Sequence, residues 1–128
     1  MRFFIPTNWK VLVLDDDLDR VVWFKQRLPD ALFAQTADEA IKLLEDNSFQ
    51  AAFLDHDLHW THIADIGIFK GTGREVAGFM QKIKFKGTVV IHSRNVLGAA
   101  MMHKYLPQAH VSPYGEFEVQ LRHSDEGL

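Results

Sequence analysis

The sequence predicts an α/β fold, a doubly wound parallel sheet of five strands with helices on both faces. Two observations predict it. Short apolar runs of the kind buried on both faces of a parallel sheet alternate with segments of helical spacing. The connections between them are short, which makes each run the start of a strand–helix unit feeding a parallel neighbour.

The first run, residues 10–14, ends abruptly in Asp15, Asp16 and Asp17. Apolar residues at 18, 21, 22, 24 and 28 then follow helical spacing, closed by Pro29. Residues 31–35 form a second short strand. Thr36 with Glu39 has the form of a capping box, a hydroxyl at the cap and a carboxylate three residues on. It opens a helix to about residue 46, with Ala40, Ile41, Leu43 and Leu44 facing inward. The third strand, 51–54, again ends in acid: Asp55, His56, Asp57. Residues 58–72 lack clear periodicity and are expected to be a loop.

Residues 73–84 are helical, with Val76, Ala77, Phe79, Met80 and Ile83 apolar. The fourth strand, 88–91, ends in His92, Ser93, Arg94 and Asn95, and a helix follows over 96–106. Residues 109–111 make a weak fifth strand running into Ser112 and Pro113. In the tail, Phe117, Val119 and Leu121 alternate with polar residues. This favours an extended segment over a short helix at 116–122. Residues 1–128 read as one domain.

Composition excludes several functions. Apolar residues make up 47% of the chain, enough for a core, while the net charge is −3 and the pI near 6.1. General duplex nucleic-acid binding and membrane-surface binding both need a positive field, so neither is expected. There is no cysteine, which removes a disulfide scaffold, a zinc–thiolate site and a thiol nucleophile. Phe3–Phe4–Ile5 is too short for a signal-peptide core, and no stretch approaches a membrane span. The expected location is the cytoplasm.

In an open parallel sheet, groups just past the strand ends gather in one crevice. Here that brings together Asp15–Asp17, Asp55–Asp57, His92–Asn95 and Ser112. Crowded carboxylates repel one another, and a hard divalent cation with oxygen ligands, Mg²⁺ or Mn²⁺, relieves the repulsion. Capping a helix needs one acid, so Asp17 is assigned to the cap, leaving Asp15, Asp16 and Asp55 for the metal. His56 and His92 are each a general acid/base, a ligand or a structural histidine. Ser93 Oγ suits a phosphate oxygen, and Arg94 is either a phosphate clamp or a surface residue. Asn95 reads best as the cap of the next helix. His59, His62 and Trp60 fall in the 58–72 segment and are expected to cover the crevice.

These residues resemble bacterial receiver domains. The run from Val11 to Asp17 looks like their first strand and acidic pair, and Ala51 to Asp55 like their phospho-acceptor strand. Thr88 to Ser93 looks like the strand carrying their hydroxyl residue. The resemblance spans residues 10–113 and implies a flavodoxin-like sheet of order 2-1-3-4-5. By it, Asp15 and Asp16 would hold Mg²⁺, Asp55 would be phosphorylated or bind metal, and the Asp57 carbonyl would be a further ligand. Ser93 would contact phosphoryl oxygens.

The chain also departs from the pattern. Ser112 stands where receivers carry a lysine before the proline, Arg94 replaces a small residue, the loop after Asp57 is longer, and the last helix is short or absent.

A narrower set is more similar. Asp55-His56-Asp57-Leu58 with His92-Ser93-Arg94-Asn95, Gly98 and Ala99 resembles a receiver-derived group that keeps the acids and adds histidines. That resemblance implies hydrolysis of a cyclic phosphate, an RNA 2′,3′-cyclic end or a cyclic nucleotide. The expected catalytic residues are Asp55, His56, His92 and Ser93. Phosphate would meet Ser93, Arg94 and Ser112, and the metal Asp15, Asp16, Asp55 and Asp57. The attacking group is left open between metal-activated water and the Asp55 carboxylate. Two rivals remain, a stand-alone receiver phosphorylated on Asp55 that binds a protein partner, and a degenerate receiver that only binds.

Overall fold

The computed structural model describes residues 1–63 and 67–123, with side chains outside 59–70. The chain opens with β1 (Arg2–Pro6), β2 (Val11–Leu14), α1 (Leu18–Arg27), β3 (Leu32–Ala34) and α2 (Ala37–Asp46). It continues through β4 (Ala51–Leu54), β5 (Asp57–Ile63), β6 (Gly67–Thr72), α3 (Gly73–Lys82) and β7 (Thr88–Ile91). It ends in α4 (Val96–Tyr105), β8 (His110–Val111) and β9 (Glu118–Arg122).

Strands β3, β2, β4, β7 and β8 lie in that order in one parallel sheet, the order the sequence implied. Alternation sorts their side chains. Val11, Val13, Ala51, Phe53 and Val90 pack on one face against Phe24 and Leu28 at α1. Leu12, Leu14, Ala52, Leu54, Val89 and Ile91 pack on the other against α2, α3 and α4. Both sets are almost wholly buried, which is why these strands read as unbroken apolar runs rather than alternating ones.

Three helix starts follow the expected chemistry. Asp17 Oδ1 accepts from the Arg20 amide at 3.1 Å, Thr36 Oγ1 from the Glu39 amide at 3.1 Å, and Asn95 Oδ1 from the Gly98 amide at 2.9 Å. The inward face of α1 is narrower than its apolar spacing implied. Val21 and Phe24 are buried, but Leu18 and Val22 are exposed.

One expectation needs correction. Residues 58–63 and 67–72, expected in a loop, are strands: β5 and β6 pair antiparallel with Asp57 opposite Thr72. A register shift between Asp57 and Trp60 breaks the two-residue period, so alternation could not reveal the strand. The side chains of His59, Trp60 and His62, expected over the crevice, lie outside the described residues. The N-terminus adds a strand that the sequence reading left unassigned. Arg2–Pro6 is a strand, paired in parallel with β9, Ile5 opposite Leu121. The tail is therefore extended, and Ile5, Phe117 and Val119 from this ribbon close the α1 face of the core. Among the described residues there are four helices, and none is long and apolar enough to cross a membrane.

Candidate functional site

Strand register builds the site. Leu14, Leu54 and Ile91 lie side by side across β2, β4 and β7. The next residues, Asp15, Asp55 and His92, therefore form a row on the face lined by α1. The ladder carries on through them: the Asp55 amide donates to Leu14 O at 3.0 Å and the His92 amide to Leu54 O at 2.9 Å. Asp15, Asp55 and His92 are all buried. Asp15, Asp16 and Asp55 each offer a carboxylate oxygen, and these oxygens lie within 4.8 Å of one another. An all-oxygen set of this charge suits a hard divalent cation.

Arg20, which sequence spacing alone does not single out, holds the centre of this group. It sits three residues past the Asp17 cap, and helical side chains lean toward the N-terminus of their helix. Its guanidinium therefore reaches back over the strand tips. Nε donates to Asp15 Oδ2 at 2.8 Å and Nη2 to Asp15 Oδ1 at 3.0 Å. Nη2 also stands 3.3 Å from Asp55 Oδ2. A basic residue one turn into the helix after an acidic strand end was the available signal. Carboxylate crowding here is thus relieved in part by the chain's own cation.

His92 lies beneath Asp15 rather than beside a cleft. Its Nε2 donates to Asp15 Oδ2 at 2.8 Å, its ring packs at 5.1 Å on Phe24, and neither the His92 nor the Asp15 side chain is exposed. Its Nδ1 is buried without a hydrogen-bond partner among the described residues. Burial alone would raise the Asp15 carboxyl, but the hydrogen bonds from His92 and Arg20 outweigh it and hold it at about 2. Burial pushes Asp55 the other way, up to about 6; the Asp15 charge adds to the rise, and His92 and Arg20 oppose it. A proton entering this carboxylate pair therefore goes to Asp55 first. Arg20, held by Asp15, is raised despite its own partial burial.

The remaining candidates lie toward α4. His56 Nδ1 donates to Asp57 Oδ1 at 2.9 Å, and Asn95 Nδ2 donates to the same oxygen at 3.2 Å. The His56 ring lies flush against Gly98, where a Cβ would come within 2.4 Å of it. The Asp57 side chain is thus turned to His56 and Asn95, and its carbonyl is the atom the resemblance gave to a metal. Ser93 is buried, and its Oγ accepts from the Asn95 amide at 3.1 Å. Ser112 is buried beside it in the sheet order, its amide bonded to Ile91 O at 3.0 Å. Arg94 is exposed and makes no ion pair among the described residues.

Solved structures with this fold include receiver domains of response regulators. The response regulator protein TrrA from Thermotoga maritima, solved with Mg²⁺ and BeF, superposes with a TM-score of 0.62 at 19% identity. That match covers 84% of this chain and 89% of TrrA. The receiver domain of Francisella response regulator 1452 matches with a TM-score of 0.58 at 19% identity, covering 88% and 84%. NtrX from Brucella abortus matches with a TM-score of 0.61 at 21% identity, over 98% of this chain but 25% of NtrX. No curated protein matches the chain. A family model described as the cyclic-phosphate processing receiver domain matches residues 10–108, from the residue before β2 to just past the end of α4. With the acidic row at the strand tips, this match makes the chain a member of the cyclic-phosphate processing receiver domain family.

Proposed function

We propose that this chain is a divalent-metal-dependent phosphoesterase that opens cyclic phosphates, such as an RNA 2′,3′-cyclic end or a cyclic nucleotide. The observation that carries it is the meeting of Asp15, Asp16 and Asp55, one carboxylate oxygen each within 4.8 Å. Asp15, Asp16 and Asp55 would hold Mg²⁺ or Mn²⁺, with the Asp57 carbonyl as a further ligand. A divalent cation supplies Lewis acidity toward a phosphoryl oxygen.

The chain's own groups account for the rest. Ser93 and Arg94 directly precede the Asn95 cap of α4, whose N-terminal dipole favours an anion, and with Ser112 they would offer two hydroxyls and a guanidinium to phosphate. In hydrolysis a water releases a proton to solvent as its oxygen bonds to phosphorus, the bond from phosphorus to one ring oxygen breaks, and that oxygen takes a proton. His56 would give it: its Nδ1 is engaged by Asp57, which leaves Nε2 for the exchanged proton. His92, sealed beneath Asp15, acts by orienting that carboxylate rather than by touching substrate.

One observation favours a second reading. Arg20 Nη2, 3.3 Å from Asp55 Oδ2, offers a cation to an acyl phosphate on Asp55 in the absence of the receiver lysine. In that case the chain is a phospho-accepting receiver with a protein partner.

Incubation with Mn²⁺ or Mg²⁺ and a panel of cyclic phosphates, beside Asp55→Ala and His56→Ala, separates the readings. Turnover lost in both variants supports the phosphoesterase. Labelling of Asp55 by acetyl phosphate with no turnover supports the receiver. No turnover with either metal overturns the first reading.

A further inference from the structure

Asp15 has no lone pair left to offer. A carboxylate presents about four lone-pair directions. Asp15 Oδ1 accepts from the Asp17 amide at 2.9 Å and from Arg20 Nη2 at 3.0 Å. Asp15 Oδ2 accepts from Arg20 Nε at 2.8 Å and from His92 Nε2 at 2.8 Å. All four directions are filled, yet this is one of the three carboxylates whose oxygens converge. A cation that takes an Asp15 oxygen must therefore displace one of these donors.

The donors are not equally replaceable. The Asp17 amide is main chain at the cap of α1, and its position is fixed by the helix start. His92 is completely buried and wedged on Phe24, with no place to move. Of the two side-chain donors only Arg20 has exposed surface, 23% of its side chain against none for His92. The Tyr114 ring, 5.8 Å from its guanidinium carbon, offers an adjacent resting place.

We infer that Arg20 is a resident counter-ion, and that a divalent cation binds Asp15 and Asp55 only by expelling its guanidinium from between them. This rests on the reading of Asp15, Asp16 and Asp55 as metal ligands, and it makes metal binding an exchange of one cation for another. The expelled guanidinium remains tethered at the crevice mouth, where an anionic substrate arrives. The apo site is thus neutralised in part, and the loaded site gains a mobile arginine at the moment substrate is needed.

Two measurements test this. The first follows the Arg20 Nε–H signal of the wild-type protein by ¹⁵N NMR, assigned with Arg20→Lys, during a Mg²⁺ titration. The bond to Asp15 predicts a signal protected from solvent exchange in the metal-free protein. Saturating Mg²⁺ is expected to abolish that protection. The second compares Mn²⁺ affinity in wild type, Arg20→Ala and Arg27→Ala, the last removing the same charge from the far end of α1. Arg20→Ala is expected to bind Mn²⁺ roughly ten- to a hundredfold more tightly, the equivalent of the charge-assisted bonds no longer broken. Arg27→Ala is expected to bind as wild type does.

If metal binds while the Arg20 signal stays protected, the exchange is wrong and the metal site stands. Equal affinities in wild type and Arg20→Ala would overturn the exchange in the same way. If none of the proteins binds metal, the metal reading falls and the exchange falls with it.

Discussion

His92 Nε2 stands 2.8 Å from Asp15 Oδ2, and both side chains are sealed from solvent. A histidine in this position supports the carboxylate from below, with Arg20 holding it from above. Replacing His92 by Ala removes a charge-assisted bond and opens a cavity against Phe24. The expected loss is about 2–4 kcal/mol of stability, read as a lowered urea midpoint at pH 7. His92→Gln, which keeps a donor, is expected to recover part of it. A neutral effect of His92→Ala would show that Asp15 does not depend on this bond.

The metal-free protein is expected to lose stability as pH rises from about 4 to 6. Asp55 has its pKa raised in the fold to about 6, above the unfolded value of 3.8. Between those two values the folded state holds more protons than the unfolded one, so stability falls with rising pH. Asp55→Asn removes this dependence. It is expected to stabilise the metal-free protein by about 1–2 kcal/mol above pH 6 and to change little below pH 4. Thermal unfolding of both proteins in chelator across that range is the measurement. A wild-type curve flat from pH 4 to 7 would contradict it.

Which parts of this were legible in the sequence follows from what each part depends on. The strands β2, β4 and β7 are buried on both faces, so each showed as an apolar run with a polar stop. In the structure the stops fall in register, which puts Asp15, Asp55 and His92 in one row. The caps at Asp17, Thr36 and Asn95 depend on local chemistry and were equally plain. Arg20 was not, because its partners lie on two strands and only the turn from β2 into α1 aims it at them. The β1–β9 ribbon joins residues more than a hundred positions apart, which no local period records. The burial of His92 rather than Ser93 on the α1 face turned on the phase of β7, which short runs leave open.

Gly98 sets the place of His56. A methyl group there would lie 2.4 Å from Cγ and 2.6 Å from Nδ1 of the imidazole, the atom bonded to Asp57. Gly98→Ala must therefore push the ring off α4 and break its bond to Asp57. The expected cost is about 1–3 kcal/mol in stability, and cyclic-phosphate turnover should fall mainly through kcat. Gly78→Ala, on α3 where the nearest atoms lie 3.8 Å away, is the matched control and should be nearly silent. Equal behaviour of the two variants would remove His56 from the mechanism.

Metal binding can be separated from folding at Asp16. Asp15 is tied into the bonds that hold α1 and His92, so its substitution disturbs the fold along with the site. Asp16 is half-buried and contributes the third converging oxygen without belonging to that buried row. A cation that binds only the folded state adds about 2.7 kcal/mol at a hundred times its Kd. In a domain of this size that is a rise in Tm on the order of 10 °C. Mg²⁺ or Mn²⁺ is expected to raise Tm of the wild type by this much. Asp16→Asn, measured against its own Tm in chelator, should gain little from either metal. Na⁺ at matched ionic strength should leave both proteins unmoved, since simple screening acts on exposed charges and not on this buried group. If Asp16→Asn gains as much as wild type, the three-carboxylate site is not where the cation binds. A wild type insensitive to both metals would mean that Arg20 alone suffices as counter-ion and that the phosphoesterase reading has lost its metal.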